Sequence, residues 1–298
     1  MAVTLTQIRA FLAVKSTGSV RAAAGQLLVS QPSVSAALAT LARELGTVLF
    51  ERHGRGVRLT ESGEAFAPYA AELLGLLEQG KSAAQEAARP ENAKVRLVAV
   101  NTAGEYLAPP LIQAYRQLHP GISILLQVGN RATVFEQLES RRADIGIGGR
   151  PAGRSLAGSP LVGNELVVVG REVPADLAQT PWLLREEGSG TRLATERLLA
   201  DLDLGSAEAG PPECLTLGSN GAVKQGLAVG LGVTLISRFA VARELRDGTL
   251  CEIGVAGTPL TRPWHVLFAP SGLRRPAVRA FAEFLRSAPG RAVIEKLL

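Results

Sequence analysis

The stretch Ser19 to Gly63, SVRAAAGQLLVSQPSVSAALATLARELGTVLFERHGRGVRLTESG, decides the fold of the first part of the chain. Ser30 precedes Gln31-Pro32, which places a capping hydroxyl just ahead of a proline in a first helical turn, where the missing N–H costs nothing. From there Val34, Leu38, Leu41 and Leu45 recur at i, i+4, i+7 and i+11 as one buried stripe, and Gly46 ends the helix. At about 100° per residue, Pro32, Ala36, Thr40 and Arg43 lie opposite that stripe, with Ser33 and Ser35 on its flanks. A small, polar outer face lets a helix sit deep in a DNA major groove, with Gln31, Ser33 and Ser35 offering hydrogen bonds to base edges or phosphates. The bland alternative is an ordinary exposed helix face.

Upstream, Leu5, Ile8, Phe11 and Leu12 recur at helical spacing until Thr17-Gly18, and Ser19 can cap a second helix carrying Ala22, Ala23, Leu27 and Leu28, with a turn at Val29. Downstream, LFERHGRGVRLT reads as two short strands around His53-Gly54-Arg55-Gly56, with Arg52, Arg55 and Arg58 spaced along them. A basic hairpin there is a wing, suited to backbone phosphates and the narrow minor groove. From Thr60, a possible cap, Phe66, Ala70, Leu73 and Leu77 repeat at helical spacing, widened by Tyr69, Leu74 and Leu76. The pattern predicts one helix from Glu61 to about Ala88, roughly 42 Å long, bent near Pro68 and ended by Arg89-Pro90. A small winged helix cannot cover that stripe alone. Packing against the same helix of a second copy is the simplest solution; a monomer covered by its own C-terminal part is the alternative.

Charge is concentrated in the same region. Residues 1–60 hold seven basic side chains against Glu44 and Glu51, a balance of +5 that equals the net charge of all 298 residues. A basic module on a neutral body suits a polyanion, because each neutralised phosphate releases condensed counterions; a solvated basic surface is the other reading. Two cysteines, Cys214 and Cys251, form no CxxC pair, so neither a zinc site nor a disulfide framework is indicated, and a reducing compartment is expected. His53, His119 and His265 lie in unrelated contexts, and no metal site or cofactor is expected. The opening MAVTLTQIRAFLAVKSTGS has no basic leader before an apolar segment, and no apolar run of roughly eighteen residues occurs, so the expectation is a cytoplasmic protein with no membrane partner. No Ser/His/Asp, Cys/His or paired-carboxylate set stands out, so no catalytic residues are expected and the chain is read as not an enzyme.

Beyond Glu91 strands and helices alternate: KVRLVAV, a helix around Pro110–Leu118, ISILLQV, a helix over Ala132–Ser140, and DIGIGG. A second round runs through LVVVG, a 191–200 helix, ECLTL, an Asn220–Val229 helix and VTLI, before WHVLF and a last helix over Ala277–Arg286. This alternation predicts mostly parallel sheets with helices on both faces, and a chain that crosses back to the first unit near Arg262. Ligands of open α/β sheets collect at strand carboxyl ends and helix N-termini. Asn101-Thr102-Ala103, Gly188-Ser189-Gly190-Thr191-Arg192 and Gly218-Ser219-Asn220 fit that description and favour a carboxylate or phosphate. GSGT is not a Walker loop, and glycine-serine turns also serve purely as helix caps.

The residues quoted resemble the LysR-type family of bacterial transcription regulators. The match is carried by Ala22-Ala23, Leu27, Ser30-Gln31-Pro32, Val34-Ser35, Leu41, Glu44-Leu45-Gly46, Leu49-Phe50, Arg52, Leu59-Thr60 and Gly63. A departure is Val20-Arg21, where the family often has an aromatic and a small polar residue, a packing position and a phosphate contact. The resemblance implies a DNA-binding set of Arg21, Ser30, Gln31, Pro32, Ser33, Ser35, Arg52 and Arg55, and dimerisation through Phe66, Tyr69, Leu73 and Leu77, with dimers commonly paired into tetramers. NTAGEYLAPPL, VGNRATVFEQL, ADIGIGGRP, LLREEGSGTR and LGSNGAVKQGLAVGLGVTLIS further resemble the effector domains of carbon-fixation (RuBisCO) operon regulators. That implies a two-subdomain, periplasmic-binding-protein-like domain whose cleft takes a small anionic metabolite at Thr102, Asn130, Arg131, Arg150, Ser189, Thr191, Arg192, Ser219 and Asn220. The expected fold class is α/β with an α-rich winged helix-turn-helix. Its expected parts are 1–60 for DNA binding, 61–90 as linker helix and 91–298 as effector domain, with subdomain I about 91–162 and 265–298 and subdomain II about 163–264. Two other readings are a two-lobed small-molecule-binding protein or enzyme without sequence-specific DNA binding, and a constitutive DNA-binding protein with a vestigial cleft.

Overall fold

Thr4 opens the first helix, α1 (Leu5–Thr17), with a reciprocal cap in the computed structural model: Gln7 N–H donates to Thr4 Oγ1 at 3.4 Å and Thr4 N–H to Gln7 Oε1 at 2.7 Å. The structure describes residues 3–151, 155–202, 204, 212–269 and 272–297. Ser19 caps α2 (Val20–Leu27) and Ser30 caps α3 (Gln31–Leu45) by accepting from the N–H three residues on. Strands β1 (Phe50–His53) and β2 (Gly56–Leu59) pair antiparallel, with Glu51 opposite Arg58. Phe11, fully buried, meets Phe50 and Phe66 at ring-centroid distances of 5.2 Å with Leu41 and Leu49, while Val34 lies in a second cluster with Val14 and Ala23. Each large side chain buried here contributes about 1.5–3 kcal/mol.

Three expectations in this region need correcting. Ala22 is exposed and Ala23-Ala24 form the buried line of α2, because a two-turn helix offers only one narrow face. Leu28 lies beyond that helix in the left-handed conformation, φ 56°, which turns its side chain outward to 92% exposure. Leu45 is also exposed, since α3 outruns the core that buries Val34 and Leu41.

Helix α4 (Glu61–Ala88) runs through Pro68, with Thr60 Oγ1 accepting from Gly63 N–H at its start. Its inner line is Gly63, Ala67, Ala70 and half-buried Leu74, and Phe66 packs on Phe11 rather than outward. Tyr69, Leu73 and Leu76 are exposed, and Leu77 is half-buried. The wing is seated by Val57 N–H donating to Gly18 O at 2.9 Å, and Gly56 allows this approach, since a Cβ there would stand 2.5 Å from that oxygen.

The chain divides into two compact units, Met1–Ala84 with Glu139–Arg142, and Gln85–Leu138 with Ala143–Leu298. The second unit starts with β3 (Lys94–Val100), a π-helical turn (Ala103–Leu107), α5 (Ala108–Leu118), β4 (Ser123–Gly129), α6 (Arg131–Glu139), β5 (Ile145–Gly148) and β6 (Ala157–Val162). It continues through β7 (Glu165–Gly170), β8 (Trp182–Leu184), α7 (Gly190–Asp201), β9 (Cys214–Thr216), α8 (Asn220–Ala228), β10 (Thr234–Ser237), α9 (Arg238–Arg246), β11 (Cys251–Ile253) and β12 (Leu260–Thr261). It closes with β13 (Trp264–Phe268), α10 (Pro276–Arg286) and α11 (Ala288–Glu295).

Two lobes result, each a sheet with helices on both faces. In the first the order is β4-β3-β5-β13-β6; Val95, Leu97 and Ala99 of β3 face one core cluster and Val98 another. In the second, β7 is central, with Leu166 and Val168 on one face and Val167 and Val169 on the other. The sheets are mixed rather than mostly parallel. β3 pairs parallel with β4 and β5, whereas β13 runs against both its neighbours. Likewise β10, β11 and β12 all run against β7. Both reversed strands, β7 and β13, begin just after the chain crosses from the other lobe, at Gly163-Asn164 and Arg262-Pro263. A strand that starts at the inter-lobe cleft must point away from it, while the others end there. α10 is not the last helix: Ser287 caps α11, with Pro289 in its first turn.

Candidate DNA-binding and effector sites

Gln31, Pro32, Ser33 and Ser35 are all exposed on the first turns of α3, and Ser30, exposed too, caps that helix. Ser33 Oγ lies 2.7 Å from Ser30 Oγ, so this hydroxyl already has a partner within the cap, whereas Ser35 has none among the described residues. Arg21 is exposed in the first turn of α2. In the wing, Arg58 is tied to Glu51 across the hairpin at 2.6 Å, but Arg52 and Arg55 are exposed and form no ion pair among the described residues. Gly54, φ 56°, makes the tight turn that puts Arg55 at the tip. The unit therefore presents a small polar helix face beside two uncompensated guanidinium groups, a surface chemically matched to base edges flanked by phosphates.

A cavity of about 510 Å³ opens where the lobes meet. Strand carboxyl ends build its walls: Asn101 and Thr102 follow β3, Asn130 and Arg131 follow β4, and Gly149 and Arg150 follow β5. The other lobe contributes Arg185, Ser189, Gly190 and Thr191, and the two crossovers contribute Asn164, Thr261 and Arg262. Asn130 Oδ1 accepts from Thr133 N–H at 2.9 Å and Ser189 Oγ from Arg192 N–H at 3.4 Å, so the N-termini of α6 and α7 both reach this space. Gly188, φ 81°, brings the second lobe against Asn130, where a Cβ would come within 3.2 Å of Nδ2.

No carboxylate lines the cavity among the described residues, and its arginines differ in how they are held. Arg185, 5% exposed, is gripped by both oxygens of Glu186 at 2.7 and 2.8 Å and donates to Asn220 Oδ1. Arg131 stacks on Phe135 at 4.4 Å and donates to Arg150 O at 3.0 Å. Arg262 donates to Gly190 O at 2.7 Å, and Arg150 makes no ion pair among the described residues. Partial desolvation against the cleft wall, then repulsion from Arg197 and Arg131, holds the Arg262 guanidinium below the usual arginine value. Among the described residues no group of three or more His, Cys, Asp or Glu side chains can hold a metal ion.

Six of the residues named from sequence line this cavity: Thr102, Asn130, Arg131, Arg150, Ser189 and Thr191. Three do not. Arg192 turns to Glu196 at 2.7 Å, Ser219 caps α8, and Asn220, 1% exposed, joins the lobes by donating to Thr102 Oγ1 at 3.2 Å and Glu105 Oε2 at 2.8 Å. Arg185 and Arg262 were not singled out by sequence. Arg185 does sit at the end of the WLL strand, a carboxyl-end position, but Arg262 sits in a crossover whose proximity to α7 only the fold reveals.

Residues 5–64 match the model for the bacterial regulatory helix-turn-helix protein, lysR family, and residues 88–290 match the LysR substrate binding domain. The chain belongs to the LysR family of transcription regulators. This LysR-type chain is 32% identical over 297 residues to the RuBisCO operon transcriptional regulator of Acidithiobacillus ferrooxidans, covering 96% of this chain and 94% of that one. Full-length CbnR complexed with its target DNA has the same fold, with a TM-score of 0.65 and 21% identity over 95% of this chain and 99% of that one. The CcmR regulatory domain of Synechocystis, solved in complex with 2-PG, superposes with a TM-score of 0.56 at 27% identity, covering 65% of this chain and 95% of that one. These relatives are named as regulators, not enzymes, and no described helix is long and apolar enough to cross a membrane.

Proposed function

We propose that this LysR-type regulator works in the cytoplasm as a homodimer that grips promoter DNA through α3 and the wing, and that a small anion, a carboxylate or phosphate, enters the cleft and shifts its DNA-bound conformation. The observation that carries the anion is the cavity lined by Arg131, Arg150 and Arg262 with no carboxylate among its lining residues. The effector set is Thr102, Asn130, Arg131, Arg150, Ser189 and Thr191, joined by Arg185 and Arg262. The 2-PG bound by the related CcmR domain is of the same class and is the first probe to use.

The dimer reading rests on Tyr69, Leu73 and Leu76 of α4, which stay exposed after the winged helix has used the opposite face for its own core. Phe66 belongs to that core and Leu77 stands at the edge of the stripe, so the contact is centred on Tyr69 and Leu73. Pairing of two such dimers gives the tetramer implied by the family. For an anion to regulate, it must bind one conformation more tightly than another. Thermal unfolding of the full chain tests the cleft: an anion at 100 times its dissociation constant stabilises by about 2.7 kcal/mol. A midpoint unmoved by 2-PG, inorganic phosphate and small carboxylates alike removes the anion reading.

A further inference from the structure

Helix N-termini carry positive partial charge, so a cation placed there is disfavoured and an anion is favoured. Both helices that open onto the cavity carry the wrong sign. Arg131 is the first residue of α6, and neither α6 nor α7 has an acidic residue in its first turn. Arg262 comes from outside to the start of α7, where its Nη1 donates to the carbonyl of Gly190, the first residue of that helix. Arg192, also in the first turn of α7, is offset by Glu196; Arg262 has no such offset among the described residues. Its surroundings add Arg131 and Arg197, whose repulsion the guanidinium feels.

Arg262 is also part of the hinge. Its N–H donates to Asn164 O at 2.8 Å, which ties the returning crossover to the outgoing one. Asn164, 6% exposed, is fixed in turn because Ser237 Oγ donates to its Oδ1 at 2.5 Å. The guanidinium is thus carried on a backbone position that both lobes share, while Arg131 and Arg150 belong to the first lobe and Arg185 to the second. Arg185 is already neutralised by Glu186, which leaves Arg131 and Arg150 on the first lobe and Arg262 at the hinge as the lining cations with no carboxylate partner among the described residues.

Building on the anion reading of the cleft, we propose that Arg262 is the specificity-determining residue that makes the cavity prefer an anion with two or more negative charges to the same skeleton with one. The ligand class is a small polyanion, such as a phosphorylated hydroxy acid, spanning the first-lobe arginines and the hinge.

Calorimetric titration of the full chain with 3-phosphoglycerate and with glycerate, which share a skeleton and differ by the phosphate, tests this. The wild type should bind 3-phosphoglycerate more tightly than glycerate, and Arg262→Gln should weaken 3-phosphoglycerate much more than glycerate, shrinking that preference by roughly tenfold or more. Arg262→Lys, which keeps the charge, should retain most of the preference and certifies an intact cleft. Equal loss for both ligands, or no loss for either, overturns the assignment of Arg262 while leaving the cleft reading standing. If the wild type binds neither probe nor inorganic phosphate, the anion reading falls and this inference falls with it. Thr102→Trp, which fills the cavity, should abolish binding of both probes; persistence there would place the anion elsewhere.

Discussion

Arg275 Nε donates to Glu86 Oε2 at 3.0 Å with both side chains only 6% exposed, closing a buried ion pair between residues 189 positions apart. The second carboxylate oxygen of Glu86 accepts from Ala277 N–H at 2.7 Å in the first turn of α10, and Arg275 also reaches Asp144 at 3.1 Å. Asp144 in turn holds Arg96 at 2.6 Å. Glu86, in the final turn of α4 (Gln85–Ala88), is thereby tied to the first lobe by a largely buried polar network.

Removing one member of such a pair leaves an uncompensated buried charge. Arg275→Met is expected to destabilise the chain by about 3–5 kcal/mol in denaturant unfolding. Glu86→Gln, which preserves an acceptor for Ala277, should cost clearly less. The double variant should cost less than the sum of the two.

In the wing, Gly56→Ala puts a methyl group 2.5 Å from the Gly18 carbonyl oxygen. Backbone cannot yield cheaply there, so a loss of about 1–3 kcal/mol is expected, with weakened DNA affinity. Gly25→Ala is the control, because its Cβ meets nothing within 4 Å.

Arg55→Ala should lower DNA affinity evenly across sequences and reduce the salt slope by about one, as expected for a lost phosphate contact. Ser35→Ala should relax sequence discrimination instead. Ser33→Ala should act mainly through the α3 cap, because Ser33 Oγ is engaged with Ser30. Competition binding at several salt concentrations separates the three.

Leu73→Glu with Leu76→Glu should convert a dimer to monomer in sedimentation velocity, weakening self-association by at least roughly a hundredfold through lost apolar burial and added charge repulsion. Retention of the wild-type state would place the dimer contact elsewhere.

The helix-turn-helix was legible in the sequence because its signals are local: Ser19 and Ser30 cap the helices named for them, Gly18 and Gly46 end α1 and α3, and Gly54 turns the wing. The misreadings arose where periodicity ignores neighbours. Leu28 continues the apolar pattern of α2 but is its left-handed C-cap, and Phe66 continues the α4 stripe yet is claimed by Phe11. In the second unit the strands were readable from their β-branched runs, but their direction was not, because β7 and β13 are reversed by the crossovers that precede them. The same crossovers explain the site. Thr102 and Ser189 stand in strand-end and helix-start segments and Asn130 comes through the family resemblance, whereas Arg262 enters the cavity only through chain reversal, and Asn220 leaves it to bridge Thr102 and Glu105.

The most direct test is selection of bound duplexes from a random-sequence DNA pool by the full chain, followed by salt-dependent binding of the selected sequence with and without 2-PG. A dimeric LysR regulator should enrich an inverted repeat, bind it with a steep salt slope, and change its affinity or footprint when the anion is present. No enriched sequence, with equal binding to all DNA at every salt concentration, would contradict it.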